Sequence, residues 1–244
     1  MGNALGAKYG IDAPDAVRNM IVLGLSSMVL SMILNSILAT SQPILGVVLA
    51  TICLWGGACL LLSGIFIAAT SLFTKRIVYR QMIDSLHLRG DEQLLDIGCG
   101  RGMLLIEAAK HLTSGKATGI DLWISGDQSG NSMVATMRNA QAEGVQDRVQ
   151  LETGDMRNMP FPDANFDMVI ASLAIHNVHS QQGCIETMHE IDRVTKPGGR
   201  TALLDVQNTA LYARTLRELG WDTHRSSMNL LMYPPSRVVY GHKL

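Results

Sequence analysis

The chain has 244 residues, enough for one domain of ordinary size and an appendage. Its formal net charge is −1 and 5% of its residues are aromatic, which argues against a nucleic-acid partner, since such proteins need a basic face and stacking side chains. The four cysteines show no CxxC or Cys/His spacing, so we expect neither a disulfide framework nor a metal site.

The N-terminal third of the chain contains a long uncharged stretch, because residues 20–73 include no Asp, Glu, Lys or Arg. Two apolar runs within it, 20–39 and 44–73, are separated by the tetrapeptide Thr-Ser-Gln-Pro. Twenty helical residues cross a hydrocarbon core of about 30 Å. Buried helices of a soluble protein would carry a polar stripe, and neither run shows one. The sequence therefore predicts a two-helix transmembrane hairpin at 20–73, preceded by a cytoplasmic segment at 1–19.

The charges that flank the predicted hairpin indicate its orientation. Lys8 and Arg18 precede it, Lys75, Arg76 and Arg80 follow it, and the turn is uncharged. Because basic residues favour the cytoplasmic side, we expect both ends of the hairpin in the cytoplasm. The chain is then an integral membrane protein whose C-terminal part faces the cytoplasm. Self-association through the hairpin is left open.

Residues 74–92 form a juxtamembrane connection. Its composition predicts an amphipathic helix over residues 76–86 that lies in the membrane interface. The apolar residues near one face of this helix are Ile77, Val78, Met82, Ile83 and Leu86.

Residues 93–244 alternate between short apolar runs and helical segments. The strands are expected at 93–97, 117–120, 149–152, 166–171, 200–206 and 238–242, and the helices at 103–112, 132–143, 185–194 and 209–219. Strands separated by single helices are typical of a doubly wound parallel sheet, so we expect an α/β domain at 93–244.

A glycine-rich loop follows the first predicted strand and opens the next helix. It contains Asp96, Gly98, Cys99, Gly100 and Gly102. Glycines let the backbone approach a ligand closely, and the carboxylate suits a positively charged ligand group. A dinucleotide site would have the spacing GxGxxG and would place a pyrophosphate at the helix N-terminus. The spacing GxGxG after an acidic residue instead favours a ligand with an amino acid moiety and no phosphates.

This loop and the motifs that follow it in order resemble the class I S-adenosylmethionine (SAM)-dependent methyltransferases over about residues 90–244. In that family the DxGxGxG loop wraps the methionine part of SAM. The resemblance implies a Rossmann-like seven-stranded domain, S-adenosyl-L-methionine as the cofactor, and transfer of its methyl group.

The resemblance also implies further cofactor-binding residues. Asp121, at the end of the second strand, would accept both ribose hydroxyls, and Leu122 would flank the adenine. Asp155 would bind the adenine amino group beside Met156, and Ser172 would border the site at the end of the fourth strand. As alternatives, Asp121 is a helix N-cap and Asp155 is only a turn residue.

The segment after the fourth strand resembles the corresponding segment of quinone and sterol C-methyltransferases. His176 in this segment is either a general base, since its ordinary pKa lies near neutrality, or a hydrogen-bonding part of the pocket wall. His179 is a second candidate base. A polar insert at 126–132 is either a solvated loop with Asn131 or Ser132 as an N-cap, or a lid or substrate loop.

Together these features predict a membrane-anchored methyltransferase that acts on a small lipophilic molecule or a lipid. The chain leaves little room for a separate substrate domain, so we expect the acceptor to fit a small site or to arrive from the bilayer. Two alternatives belong to other classes. One is a membrane-tethered, noncatalytic SAM-binding protein, and the other is an NAD-dependent oxidoreductase, which the glycine spacing fits poorly.

Overall fold

The computed structural model describes residues 7–124, 126–178 and 180–244. An antiparallel helical hairpin comes first, formed by α1 (Pro14–Leu38) and α2 (Pro43–Ala69). A π-helical turn (Thr70–Thr74) joins α2 to α3 (Lys75–Ser85), so that one continuous helix runs over 43 residues. Both long helices are long and apolar enough to cross a membrane, as judged by length and composition.

Small residues form the contact between α1 and α2. A Cβ atom on Gly24 would lie 2.8 Å from the carbonyl oxygen of Gly57, so only glycine permits this approach. Ser31 Oγ donates a hydrogen bond to the carbonyl of Ala50, at 2.6 Å. Small side chains and interhelical hydrogen bonds are the usual means of packing helices in lipid, where no hydrophobic force drives helices together.

The remainder is a Rossmann-like domain with a seven-stranded sheet in the order β3-β2-β1-β4-β5-β7-β6. Its strands are β1 (Gln93–Ile97), β2 (Lys116–Asp121), β3 (Val149–Thr153), β4 (Phe166–Ser172), β5 (Thr195–Asp205), β6 (Trp221–Arg225) and β7 (Arg237–Lys243). Its helices are α4 (Met103–Lys110), α5 (Met133–Ala142), α6 (Gln181–Val194) and α7 (Thr209–Glu218). The predicted seven-stranded fold is confirmed.

The sheet is mixed, which corrects the expectation of a wholly parallel one. Strands β1 to β5 pair in parallel, whereas β7 pairs antiparallel with both β5 and β6. Strand β6 was not among the strands expected from the apolar runs. The connection from β6 to β7 is a loop at 226–236 without a helix, and a connection of this kind returns the chain antiparallel.

Helix α3 packs on the domain, so its expected position in the membrane interface is wrong. Val78, Met82 and Ile83 on its apolar face are buried in the core beside α4. Two of its basic residues pair with carboxylates of the domain, Arg80 with Glu107 at 3.2 Å and Arg76 with Glu143. The hairpin is therefore joined to the domain by a rigid helix.

Candidate functional site

A cavity of about 810 Å³ lies at the carboxyl ends of β1, β2 and β4. This volume is in the upper part of the usual range for small-molecule sites, about 300–1,000 Å³. Parallel strands place the loops that follow them at one edge of the sheet, and ligands of doubly wound sheets bind there. The cavity therefore occupies the place where the fold positions a ligand.

The glycine loop forms one wall of this cavity, and its geometry requires glycine. Gly98, Gly100 and Gly102 have φ values of 67°, 53° and 81°, which disfavour residues with side chains. A Cβ atom on Gly98 would lie 2.3 Å from Ala174 Cβ, and one on Gly100 would lie 2.6 Å from Gln128 Oε1. The loop brings bare backbone to the cavity surface.

Asp96 lines the cavity at the end of β1 and is 1% exposed. Its Oδ2 has no hydrogen-bond partner among the residues that the structure describes. Burial, together with the nearby Asp121, raises the pKa of Asp96 well above its ordinary value. An unsatisfied buried carboxyl oxygen calls for a donor from a ligand, such as an ammonium group. This orphaned oxygen and the bare glycine loop fit the amino acid end of SAM.

Cys99, between the glycines, is buried, and burial raises the pKa of its thiol well above the ordinary value. The thiol is therefore protonated near neutral pH. Since a protonated thiol is a poor nucleophile, Cys99 contributes packing and backbone to the loop.

Asp121 is the last residue of β2 and lines the cavity beside the half-exposed Leu122. Its carboxylate accepts hydrogen bonds from the backbone N–H of Gly100, at 2.8 Å, and of Trp123, at 2.6 Å. Asn131 Nδ2 donates a third, at 3.1 Å. These donors fix the carboxylate at the cavity edge. Binding of the ribose hydroxyls stays a prediction.

The alternative role of Asp121 as a helix N-cap is wrong. The helix that follows is α5, and its N-cap is Ser132, whose Oγ accepts a hydrogen bond from the backbone N–H of Ala135 at 3.2 Å. The expected cap within the 126–132 insert is therefore confirmed for Ser132.

Asp155 lines the cavity together with Met156, and it also shapes the turn after β3. Its carboxylate accepts hydrogen bonds from the backbone and the guanidinium of Arg157, and these bonds lower its pKa. Both expected roles are compatible with this geometry, because each carboxylate oxygen can accept two hydrogen bonds. Contact with adenine stays a prediction.

His176 and Asp205 form a hydrogen-bonded pair in the cavity wall. His176 lies on a 3₁₀ turn after β4, and Asp205 ends the adjacent strand β5. His176 Nδ1 lies 2.7 Å from Asp205 Oδ1, and the backbone N–H of His176 donates to Asp205 Oδ2 at 3.1 Å. Burial opposes protonation of the ring, but the hydrogen bond and charge of Asp205 outweigh it and raise the pKa of His176. The second candidate base, His179, lies outside the described residues.

Among the cavity residues that were not predicted from the sequence, three interact with one another and come from segments before β1: Asp12, Lys75 and Tyr79. The ammonium of Lys75 pairs with the carboxylate of Asp12, at 2.7 Å, and lies 5.4 Å from the centroid of the Tyr79 ring. Ser172, at the end of β4, donates a hydrogen bond to the Tyr79 hydroxyl. Burial raises the pKa of Tyr79 to about 12, so this hydroxyl stays neutral. From the sequence, Lys75 indicates only the orientation of the hairpin, and nothing in the sequence marks Asp12 as its partner.

The 126–132 insert packs against the glycine loop and borders the cavity. Gln128 Oε1 accepts a hydrogen bond from the backbone N–H of Arg101, at 2.7 Å, and Gln128 Nε2 donates to Asp12, at 3.2 Å. Ser129 Oγ accepts from the backbone N–H of Ile11 at 2.9 Å. The insert is therefore more than a solvated loop, because it holds the N-terminal segment across the cavity edge.

A further part of the cavity wall comes from the end of the hairpin helix and from the loop between β6 and β7. The backbone N–H of Tyr233 donates to Thr70 Oγ1 at 3.1 Å, which joins these two elements directly. The residues that line this part are Ile67 of α2, Thr70 and Ser71 of the π-helical turn, and Met232, Tyr233 and Pro234 of the loop.

Comparisons with known proteins show the family of this chain. The family model described as a methyltransferase domain matches residues 88–241. A demethylmenaquinone methyltransferase of Symbiobacterium thermophilum is 34% identical over 128 residues, which are 52% of this chain and 47% of the relative. A sterol 4-C-methyltransferase of Caenorhabditis elegans is 31% identical over 135 residues, which are 55% of this chain and 37% of the relative. The chain thus spans less than half the length of these two curated relatives.

Solved structures match the fold. A SAM-dependent methyltransferase from Aquifex aeolicus superposes with a TM-score of 0.54 at 16% identity, over 68% of this chain and 89% of that one. At this level of identity the likeness shows the fold alone. The match of the family model covers more than half of the chain, and the motif order, the glycine loop and the orphaned Asp96 oxygen agree with it. The chain therefore belongs to the class I SAM-dependent methyltransferases, with S-adenosyl-L-methionine as its cofactor.

Proposed function

We propose that this protein transfers the methyl group of SAM to a small lipophilic acceptor, and that its hairpin spans a membrane with the methyltransferase domain on the cytoplasmic side. The acceptor is a lipophilic small molecule or a lipid that enters from the bilayer. One observation carries the proposal: the glycine loop and the hairpin helix α2 both line the same cavity.

The cofactor side of the cavity is polar and preorganised. Asp96 presents its free oxygen there, and Asp121 is fixed by two backbone donors and one side-chain donor. SAM, when bound, supplies a methyl group that its sulfonium has already activated. The contribution of the chain is then to hold and orient the reactants and to exclude water.

The part of the cavity that we assign to the acceptor contains apolar surface. Ile67 and Met232 supply hydrocarbon surface, and Tyr233 supplies an aromatic ring with a polar end. Because Ile67 belongs to the same continuous helix as the uncharged span, a molecule dissolved in the bilayer would meet this wall first. An apolar acceptor is therefore favoured over a charged, water-soluble one.

The His176–Asp205 pair provides a proton acceptor. Since Nδ1 is held by Asp205, Nε2 is the ring nitrogen that can take a proton. With SAM bound, Nε2 of His176 would take the proton that an acceptor O–H or C–H position gives up when it is methylated. Tyr79 cannot take this role, because its raised pKa keeps it protonated.

The test is incubation of the full-length, detergent-purified protein with methyl-labelled SAM and a membrane lipid extract, followed by identification of the labelled product. We expect label in an apolar molecule of the extract. The control is Asp121→Ala, which should lose transfer together with SAM binding. SAM binding without transfer to any extract would leave the noncatalytic alternative, and binding of NAD but not SAM in a calorimetric titration would leave the oxidoreductase.

A further inference from the structure

The loop that joins β6 to β7 (residues 226–236, the β6–β7 loop) has an exposed apolar tip. Leu230 is 76% exposed and Leu231 is 52% exposed, although both are large aliphatic side chains. Met228, also in this loop, is exposed too. A contiguous group of exposed apolar side chains usually marks an interaction site.

The tip is held rigidly by its own backbone. Asn229 and Ser236 exchange two backbone hydrogen bonds across the loop, at 2.8 and 3.2 Å. The backbone N–H of Leu231 donates to Asn229 Oδ1 at 2.9 Å. These bonds satisfy polar groups within the loop, and such internal pairing is what an apolar medium requires.

The charge pattern around the loop changes at its base. Residues 226–236 contain no charged side chain, whereas Arg225 and Arg237 stand at the ends of the two strands that carry the loop. Basic residues beside an apolar tip suit the anionic headgroups of a cytoplasmic leaflet.

The loop is continuous with the apolar surface of the hairpin. Tyr233 Oη lies 2.9 Å from Ser63 Oγ, and the rings of Tyr233 and Phe66 are 5.7 Å apart between centroids. Phe66 on α2 and Phe73 on the π-helical turn are both exposed. The β6–β7 loop therefore adjoins the exposed apolar surface of α2 through Tyr233.

The contact between Tyr233 and the hairpin indicates where the β6–β7 loop lies relative to the boundary of the proposed membrane. Gly64, next to Ser63, faces Val17 of α1, since a Cβ on Gly64 would lie 3.3 Å from the Val17 carbonyl oxygen. Arg18, the neighbour of Val17, is exposed and pairs with Asp15 at 3.1 Å. Ser63 thus lies where the hairpin changes from uncharged to charged, and tyrosine is enriched at this boundary of membrane proteins.

We propose that the β6–β7 loop is a second membrane-contacting element, which inserts Leu230 and Leu231 into the cytoplasmic leaflet beside α2. This inference rests on the proposed membrane hairpin. Because Met232, Tyr233 and Pro234 of the same loop line the cavity, the loop and α2 together frame a lateral opening between the bilayer and the site.

The experiment measures the depth of single labelled positions in the full-length protein in lipid vesicles. A fluorophore is attached to Leu230→Cys in a background where Cys53 and Cys59 are alanine; the other two cysteines are buried. We expect a blue shift of emission and quenching by lipids that carry a nitroxide, stronger for a shallow nitroxide than for a deep one. Glu218→Cys, exposed at the end of α7, is the control on the domain surface and should not be quenched.

A third position separates failure of this inference from failure of the proposed anchor. Met32→Cys, exposed near the middle of the apolar run 20–39, should be quenched best by the deep nitroxide. Quenching at Met32→Cys without quenching at Leu230→Cys would overturn the role of the loop and leave the hairpin in place. No quenching at either position would overturn the membrane anchor itself.

A variant without a fluorophore tests whether the attached label itself causes the loop to insert. Leu230→Asp should keep the unfolding temperature, because the side chain is exposed, and should lower methyl transfer to acceptor in vesicles much more than to acceptor in detergent. If Leu230→Asp transferred methyl groups to acceptor in vesicles as fast as the unaltered protein does, the proposal would be contradicted.

Discussion

The ammonium of Lys75 lies 2.8 Å from one carboxylate oxygen of Asp12 and 2.7 Å from the other, although 62 residues of hairpin and helix separate the two positions. Both residues line the cavity. The pair closes the hairpin at its charged end and holds the N-terminal segment against the first turn of α3. One buried ion pair therefore connects the proposed anchor, the cavity and the domain.

Breaking this pair should destabilise the protein strongly. Asp12→Asn leaves a buried lysine without its carboxylate, and loss of one partner of a buried pair costs about 3–5 kcal/mol. The raised pKa of Lys75, for which Asp12 outweighs the opposing effect of burial, keeps the ammonium charged in the protein. We expect a large fall in the midpoint of thermal unfolding in detergent. Replacing both residues, as in Asp12→Leu with Lys75→Met, should recover most of the loss, and equal loss in both variants would show that the charge is not the cause.

Asp121→Ala should weaken SAM binding by at least tenfold. Each charge-assisted hydrogen bond to a ribose hydroxyl contributes about 1.5–3 kcal/mol, so loss of two exceeds the roughly 1.4 kcal/mol that corresponds to a factor of ten. Isothermal titration with SAM measures the effect, and an unchanged unfolding midpoint shows that the loop has kept its fold. Unaltered affinity would exclude the ribose assignment.

His176→Ala should lower turnover, because the ring lines the cavity and is held there by Asp205, and should keep SAM affinity, because the expected cofactor contacts come from other residues. In the unaltered protein, turnover requires neutral His176 and so falls as the pH drops through its raised pKa. Asp205→Asn removes the group that raises this pKa, and the acidic limb should therefore move to lower pH while the maximum rate decreases. Rate profiles against pH for the three proteins test this. An unmoved limb in Asp205→Asn, or turnover within about threefold in His176→Ala, would leave the histidine as pocket wall.

The elements that could be predicted from the sequence are those in which local pattern and tertiary role agree. The run Gln93–Ile97 is apolar and ends in glycines, and it forms the buried strand β1 with the predicted bounds. The carboxylates Asp96 and Asp121 could be placed at the same sheet edge because both end parallel strands. Ser132 could be expected as an N-cap because its hydroxyl precedes a helical segment.

The features that could not be predicted from the sequence depend on contacts between segments that are distant along the chain. Helix α3 has the amphipathic pattern of an interfacial helix, but the same pattern serves a helix that packs on a domain, and only the position of the sheet decides between them. Strand β6 could not be predicted from an apolar run, because Trp221–Arg225 is mostly polar and forms the edge of the sheet. Asp205 could have been paired with His176, since both lie at the ends of adjacent parallel strands.

The predicted orientation of the hairpin can be measured in intact cells. A cysteine at Ser41, in the exposed turn between α1 and α2, should react with an impermeant thiol reagent added from outside. A cysteine at Ser85, exposed at the end of α3, should not react, because we expect both ends of the hairpin in the cytoplasm. The background lacks the four native cysteines. Labelling at Ser85 alone would reverse the orientation.

The hairpin should deliver the acceptor as well as anchor the domain. Removal of residues 1–74 is one way to test this, but a substitution in the cavity wall is a sharper test. Such a deletion would also remove Asp12 and part of the wall, leaving Lys75 without its partner. Ile67→Trp instead adds bulk on the hairpin side of the cavity. We expect it to raise the apparent KM for acceptor in vesicles while the SAM affinity stays unchanged.

The matched control for this variant is Ile65→Trp, two residues away on the same helix, at an exposed position that does not line the cavity. It adds the same bulk and the same apolar surface, so any general effect on the anchor appears in both variants. A KM change in Ile67→Trp alone locates acceptor entry between α2 and the β6–β7 loop, because these two elements form that wall. Equal behaviour of the two variants on vesicles would reject delivery and leave the hairpin as an anchor. Loss of SAM affinity in Ile67→Trp would mean that the added ring reaches the cofactor side, and the proposed division of the cavity would then be wrong.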